Sequence, residues 1–373
     1  MPSVGRKFLV AGKSGLNLTH DEPWEHFLAK YHIKSPHNKL WQSILSEFDN
    51  NALRAWASDL GIETFTASSG KVFPIPVDGI IRAAPLLRRW CKKLRKLGVI
   101  FKMRHRWQGF AENTDLLFEH RSKQYTKQHD ATLLALGGGS WPNTGSDGNW
   151  VNTLDALGIQ ITPLQSANCG WNVDWPAAVS SGAEGLPLKN LQVSAGSGIA
   201  NGELVITRYG LEGAPIYRLG PSIRSLPSPE IIIDFKPNLS HEDILSKMGN
   251  VERNFIREAR RRLKLDTGTC SLLKHLPNRG PWKNTHQLAY EIKNCRIPLT
   301  SVRPLSEAIS TAGGISWQEV DEKLMLKKIP SVYLAGEMID WEAPTGGYLL
   351  QACFATGTYV GKYLAAEYSN LDQ

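Results

Sequence analysis

Apolar positions along this chain change their spacing twice. From Trp24 to Leu60 they fall at Trp24, Phe27, Leu28 and Tyr31, then Leu40, Ile44, Leu45 and Phe48, then Leu53, Trp56 and Leu60. That spacing predicts a run of amphipathic helices closed by Gly61. Val77 to Leu97 predicts another helix, kinked at Pro85 and stopped by Gly98. Val99 to Trp107 then predicts a strand, with Thr114 to His120 as its partner. Ala131 to Leu136 is an apolar strand that empties directly into Gly137, Gly138 and Gly139. Between 164 and 236 the chain is rich in Gly, Pro and Ser, and the short runs QVSA, ELVIT and EIIIDF predict an antiparallel sheet or partial barrel. Ser240, with Asp243 three positions on, reads as the N-cap of a helical block that lasts to 293. Ile297 to Val302 returns to strand. From 304 the chain predicts a helix, the strand Val332 to Ala335, a glycine turn and a last helix from Gly347 to Glu367.

This order places one discontinuous α/β layer around an inserted block. The boundaries expected are 1–163 with 303–373 for the α/β domain, 164–237 with 295–302 for a β-barrel-like domain, and 238–294 for a helical insert. The length of 373 residues suits two or three domains, and 42% apolar against 21% charged residues supports a buried core. A net charge of +8 permits anionic partners and requires none. Five widely spaced Cys without a C-x-x-C speak against a disulfide framework or a Cys-based metal site. No stretch reaches the roughly 18 apolar residues that a membrane span needs. A soluble cytoplasmic protein is the expectation.

Four segments carry candidate chemistry. In VYLAGEMIDWEAPTGGYLLQACFATG a strand ends at Ala335, Gly336 allows close backbone approach, and Glu337 presents a carboxylate at the strand's carboxyl end, where parallel sheets bind ligands. Gly346, Gly347 and Tyr348 then open a helix whose free amides suit negative charge. A flavin ring is one reading of this segment, and a plain strand–turn–helix connection is the other. LLALGGGSWPNTGSDGNW brings Gly137 and Gly138 to the end of a buried strand, as in nucleotide sites, although such turns are common. GRKFLVAGKSGLNLTH offers Arg6, Lys7 and Lys13 with Gly12, Gly15 and Asn17 to a phosphate, or is an exposed basic terminus. RPLSEAISTAGGI offers Thr311, Gly313 and Gly314 to a flat ring, or is a helix C-cap.

Together these four segments resemble the BaiN-like bacterial NAD(P)/FAD-dependent oxidoreductases, and within them an uncharacterised subgroup that carries WEAPTGGYLL. The resemblance runs over almost the whole chain. It implies a glutathione-reductase-type FAD-binding domain with the inserted β-barrel-like and helical domains. It implies FAD as cofactor, NADH or NADPH as electron donor, and hydride transfer through the flavin to an unknown acceptor. The residues expected at the cofactor are Arg6, Lys7, Gly12, Gly15, Asn17, Gly137, Gly138, Gly336, Glu337, Gly346, Gly347 and Tyr348. Family members open with a strand, a G-x-G-x-x-G turn, a helix and a second strand ending in an acid, which hold the pyrophosphate and adenosine ribose. This chain has no such unit, and Met1 aligns just after that acid. The expectation is a start taken at an internal Met or a domain truncated at its N-terminus. In the second case the chain would be a remnant that no longer holds FAD.

The remaining signals are weaker. Gly196-Ser197-Gly198 with Gly202 reads as a hairpin turn because no helix follows. His20, His26, His32 and His37, with Asp21 and Glu22, have irregular spacing for a metal site, and none is expected. Arg257, Arg260, Arg261 and Arg262 read as the solvated face of an amphipathic helix, with flavin-dependent RNA modification as a further alternative. Tyr348, Thr345 and Asp340 are candidate proton donors by adjacency alone. Cys169 lacks a resolving partner.

Overall fold

The computed structural model describes residues 1–12, 15–33, 37–112, 114–276 and 282–368. Its contacts divide the chain into one unit of Met1–Gln165 with Ser310–Gln373 and a second of Ser166–Ile309.

The first unit begins with a helix at Arg6–Ala11, followed by helices at Trp24–Leu28, Asn38–Glu47, Asn50–Asp59 and Ala83–Lys96. The Asp49 side chain accepts from the Ala52 amide at 2.8 Å and so fixes where one of them starts. Their apolar faces meet in a small core of Leu16, Leu18, Leu53, Ala57, Ala83 and Leu86. The helix expected from Val77 starts later, at Ala83, which puts Pro85 in the first turn. A proline there removes no helical hydrogen bond, so the expected kink is absent. Val99 and Ile100 lie outside the strand expected for them and are 43% and 75% exposed. The strand is Arg106–Phe110, paired antiparallel with Leu116–His120. A third strand, Lys123–Lys127, extends that sheet with every position exposed. It gives no alternation of polarity from which it could be read.

The second core of this unit gathers the parallel pair Thr132–Leu134 and Val332–Leu334, registered Leu134 to Leu334. It includes the aromatic residues Phe27, Tyr31, Trp41, Trp317, Trp341 and Tyr348. The closing helix runs from Tyr348 to Tyr368. The helix expected directly after Arg303 is only a single turn at Leu305–Glu307. Ser310–Ile315 is instead a wholly buried strand paired with Ile161–Ala167. Its residues are small and β-compatible, and Gly313 and Gly314 hold φ of 84° and 137° that a helix cannot contain.

In the second unit seven strands form one sheet, from Cys295–Pro298 at one edge to Ser301–Val302 at the other. These outermost strands are separated by only Leu299 and Thr300. Leu299 N donates to Pro229 O, and Thr300 N to Asn172 O. The sheet therefore curls until its edges approach, yet no ladder joins them, so the expected barrel is not closed. Gly196 and Ser197 make the two-residue turn of a hairpin in which Ala195 pairs with Gly198. Ser240 and Asp243 form a reciprocal capping box at the helix His241–Met248. The helices from 241 to 293 share one apolar core with the sheet: Ile244, Leu272 and Leu288 pack in the same cluster as Leu188 and Leu204. The arginine helix, Phe255–Leu263, spends much of its charge locally. Arg261 and Arg262 pair with Glu258, and Arg260 donates to Thr267.

Candidate functional site

The parallel strands of the first unit end side by side, and chemistry gathers at their carboxyl ends. Past Val332–Leu334 the chain turns at Gly336, and Glu337 points back toward the end of the neighbouring strand. Its Oε2 accepts from Lys7 Nζ at 2.7 Å and from the Gly138 amide at 3.3 Å. Its Oε1 accepts from the Thr311 amide at 2.9 Å. Lys7 reaches in from the helix Arg6–Ala11 and also donates to Ser140 Oγ and Ser146 Oγ at 2.9 and 3.2 Å. Ser146 Oγ donates to Gly138 O, while Thr311 Oγ1 takes the amides of Gly139 and Ser140 at 3.0 and 3.3 Å. Ser140 and Thr311 are buried. The result is a part-buried polar knot in which an acid, an amine and strand-end amides satisfy one another.

Glycine is required at its centre. A Cβ on Gly138 would stand 2.3 Å from Thr311 Oγ1. Below the knot, the Cys353 thiol is pushed up to about 12, chiefly by burial and secondarily by the Glu337 charge.

A second cluster surrounds the turn before the last helix. The position where Gly347 would carry a Cβ lies 2.6 Å from the Thr19 backbone, so Asn17–His20 is pressed against the turn. His20 stacks on Tyr348 with ring centroids 5.3 Å apart, and the Tyr348 hydroxyl donates to Glu22. Tyr31 donates to Tyr348 O at 2.9 Å, and its own hydroxyl is held well above its ordinary pKa, first by burial and then by Tyr348. Around this turn four buried polar atoms find no hydrogen-bond partner among the described residues: Asn17 Oδ1, Thr19 Oγ1, His20 Nδ1 and Gln351 Oε1. Such atoms are rare and costly in a folded protein.

The sequence-chosen residues thus divide. Lys7, Gly138 and Glu337 share the knot, and Gly137 and Gly336 flank it. Gly346, Gly347, Tyr348 and Asn17 belong to the second cluster. Arg6 starts the helix that carries Lys7 and is half-buried. Gly12 faces Ala83 and Gly15 faces Phe73, in packing contacts. Lys13 lies outside the described residues. Of the proposed proton donors, Asp340 accepts from Thr162 Oγ1 at 2.7 Å. Ser140 carried no signal in the sequence. Glu22 stood out in the sequence only as a neighbour of His20 and Asp21, weighed there for a metal site and set aside. Among the described residues no group of His, Cys, Asp and Glu is placed to hold a metal, and no helix is long and apolar enough to cross a membrane.

A family model described as HI0933-like protein Rossmann domain matches residues 1–363. The chain belongs to the HI0933-like family. The 3-dehydro-bile acid delta(4,6)-reductase of Clostridium scindens is 25% identical over 97% of this chain and 90% of its own length. These two matches support the resemblance to BaiN-like flavoprotein oxidoreductases that the four segments carry. Among solved structures, Mycobacterium smegmatis Sdh1 in complex with UQ1 covers 88% of this HI0933-like chain with a TM-score of 0.32 and 14% identity. This chain spans 56% of that one, and so remote a likeness carries no argument.

Membership implies an FAD-type cofactor. The two clusters do not fit that group where it is expected. Glu337, expected to take sugar or ribityl hydroxyls, already accepts from an ammonium and two amides. The gap between Glu337 and Thr311 is closed by a direct hydrogen bond, and the Gly347 turn is covered by Thr19 backbone.

Proposed function

We propose that this HI0933-like protein is an oxidoreductase of the reductase type, with NADH or NADPH as donor and an acceptor that its residues do not identify. One observation carries the reading: the family match runs through residues 1–363, and the relative that aligns with 97% of the chain is a reductase. The placement of the knot agrees with it, because α/β sheets take ligands beyond the carboxyl ends of their parallel strands.

A second reading has its own support. The carboxylate is satisfied from within, which favours a chain that holds no FAD in this arrangement. A visible spectrum of the purified chain separates the two, taken before and after FAD is added and the excess removed. A flavin band that bleaches with NADH or NADPH supports the first reading. A colourless protein that also refuses added FAD and consumes no nicotinamide supports the second and overturns the first.

A further inference from the structure

Between Asp78 and Glu112 the chain carries ten Lys and Arg residues and no acid, more positive charge than the net +8 of the whole protein. Six of the ten lie on the helix Ala83–Lys96. Its buried positions are Ala83, Leu86, Leu87 and Cys91, and helical spacing puts Arg88, Arg89, Lys92, Lys93, Arg95 and Lys96 on the opposite, exposed face. Lys102 and Arg104 follow and are also exposed. Cations in a last turn offset the helix dipole, but that accounts for neither Arg88 nor the two beyond the helix. Among the described residues only Arg106 of the ten is paired with an acid, Asp147 at 3.5 Å.

The loop that leaves this helix adds an independent observation. Leu97 and Ile100 are 70% and 75% exposed, the highest values for large apolar side chains among the described residues, and Val99 is 43% exposed. Single exposed apolar residues are ordinary. Three within four positions, at the end of a face of cations, mark an interaction surface. Gly98, at a φ of 85°, and the bond from Val99 N to Leu94 O at 3.0 Å fix the turn that presents them. At a rise of about 1.5 Å per residue, Lys92, Lys93 and Lys96 lie within about 8 Å of it along the helix axis. The loop's one aromatic ring, Phe101, is half-buried beneath the Arg95 guanidinium, which lies 5.1 Å from its centroid. Stacking on nucleic-acid bases needs open aromatic faces, whereas aliphatic tips suit hydrocarbon.

We propose that this surface docks on an anionic phospholipid bilayer. Lys92, Lys93, Lys96 and Lys102 take the headgroup phosphates, and Leu97 and Ile100 enter the boundary of the acyl chains. Apolar insertion together with attraction to anionic lipid lets a protein lie on a bilayer without spanning it. The inference does not depend on the reductase reading.

Sedimentation of the full chain with vesicles tests it. The chain should bind phosphatidylcholine vesicles that contain phosphatidylglycerol, less so as salt is raised, and leave pure phosphatidylcholine vesicles unbound. Lys92→Gln, Lys93→Gln and Lys96→Gln together should weaken binding at low salt about a hundredfold, at about fivefold per cation. Leu97→Asn with Ile100→Asn should weaken it about tenfold although no charge changes. All five side chains are exposed, so circular dichroism and the urea midpoint should stay as in the parent. Absence of binding to the anionic vesicles, or equal binding to both kinds, would overturn the proposal. A Leu97→Asn and Ile100→Asn variant that binds undiminished would reduce the surface to a general polyanion contact, and tighter binding of poly(U) at equal phosphate would assign it to RNA; either result overturns the proposal as well.

Discussion

Lys7 and Glu337 are 330 positions apart in sequence and 2.7 Å apart in space. Neither is free to serve a ligand while the other is in place: the ammonium stands where a hydroxyl donor would stand. Their side chains are 30% and 11% exposed, so the pair is shielded enough to matter and the acid would be stranded without its partner. Lys7→Gln should therefore cost about 1–3 kcal/mol in urea unfolding. A double-mutant cycle with Glu337→Gln should show coupling of similar size. The same Lys7→Gln variant should quench added FAD fluorescence at about tenfold lower protein concentration than the parent. Weaker quenching would mean that Lys7 is itself a ligand contact and not a stand-in for one.

The turn at Gly347 makes a separate prediction. Its φ is 100°, and a Cβ would lie 2.6 Å from the Thr19 Cα and carbonyl carbon. Backbone cannot swing aside as a side chain can. Gly347→Ala should lose at least about 2 kcal/mol, combining left-handed strain with the clash. Gly357 sits in the helix that follows, with nothing within 4 Å of the place a Cβ would take. Gly357→Ala should gain about 0.5–1 kcal/mol from helix propensity. Denaturant midpoints of the two variants should move in opposite directions, and a shift in the same direction would refute the account of the turn.

That contrast shows what the sequence could reveal. Two glycines before a helix announce a tight turn, but they do not say what presses against it. Gly357 and Gly361 look like close-packing residues and face open space instead. The helices from Trp24 to Asp59 were legible because their apolar positions repeat every three to four residues over several turns. Ser310–Ile315 was not: a buried strand of small residues has no alternation and resembles a helix end. Glu337 could be singled out as an acid at a strand end. Lys7 could be singled out as a phosphate candidate but not as the partner of Glu337, because a lysine in the first turn of a short helix carries no local mark of where its long side chain ends. The capping box at Ser240 needed only four residues of sequence and was fully visible. Lys123–Lys127 needed a neighbouring strand to exist at all.

Cys353, under the Glu337 knot, ties the site to alkaline stability. Burial, aided by the Glu337 charge, moves its thiol from an ordinary 9.0 to about 12. Below pH 9 the thiol is protonated whether the chain is folded or not, and its contribution is fully present. As pH rises from 9 toward 12 the unfolded chain releases the proton and the folded chain keeps it, so stability is lost across that window. One proton corresponds to about 1.4 kcal/mol per pH unit. Cys353→Ala should remove that much from the slope of unfolding free energy against pH between 9 and 10.5, while other groups, such as Tyr333 at about 12, keep theirs. The native thiol should also resist alkylation at pH 9, where an ordinary cysteine is half ionised. Rapid labelling of Cys353 in the folded protein, or identical slopes for parent and variant, would show that the knot leaves it open to solvent.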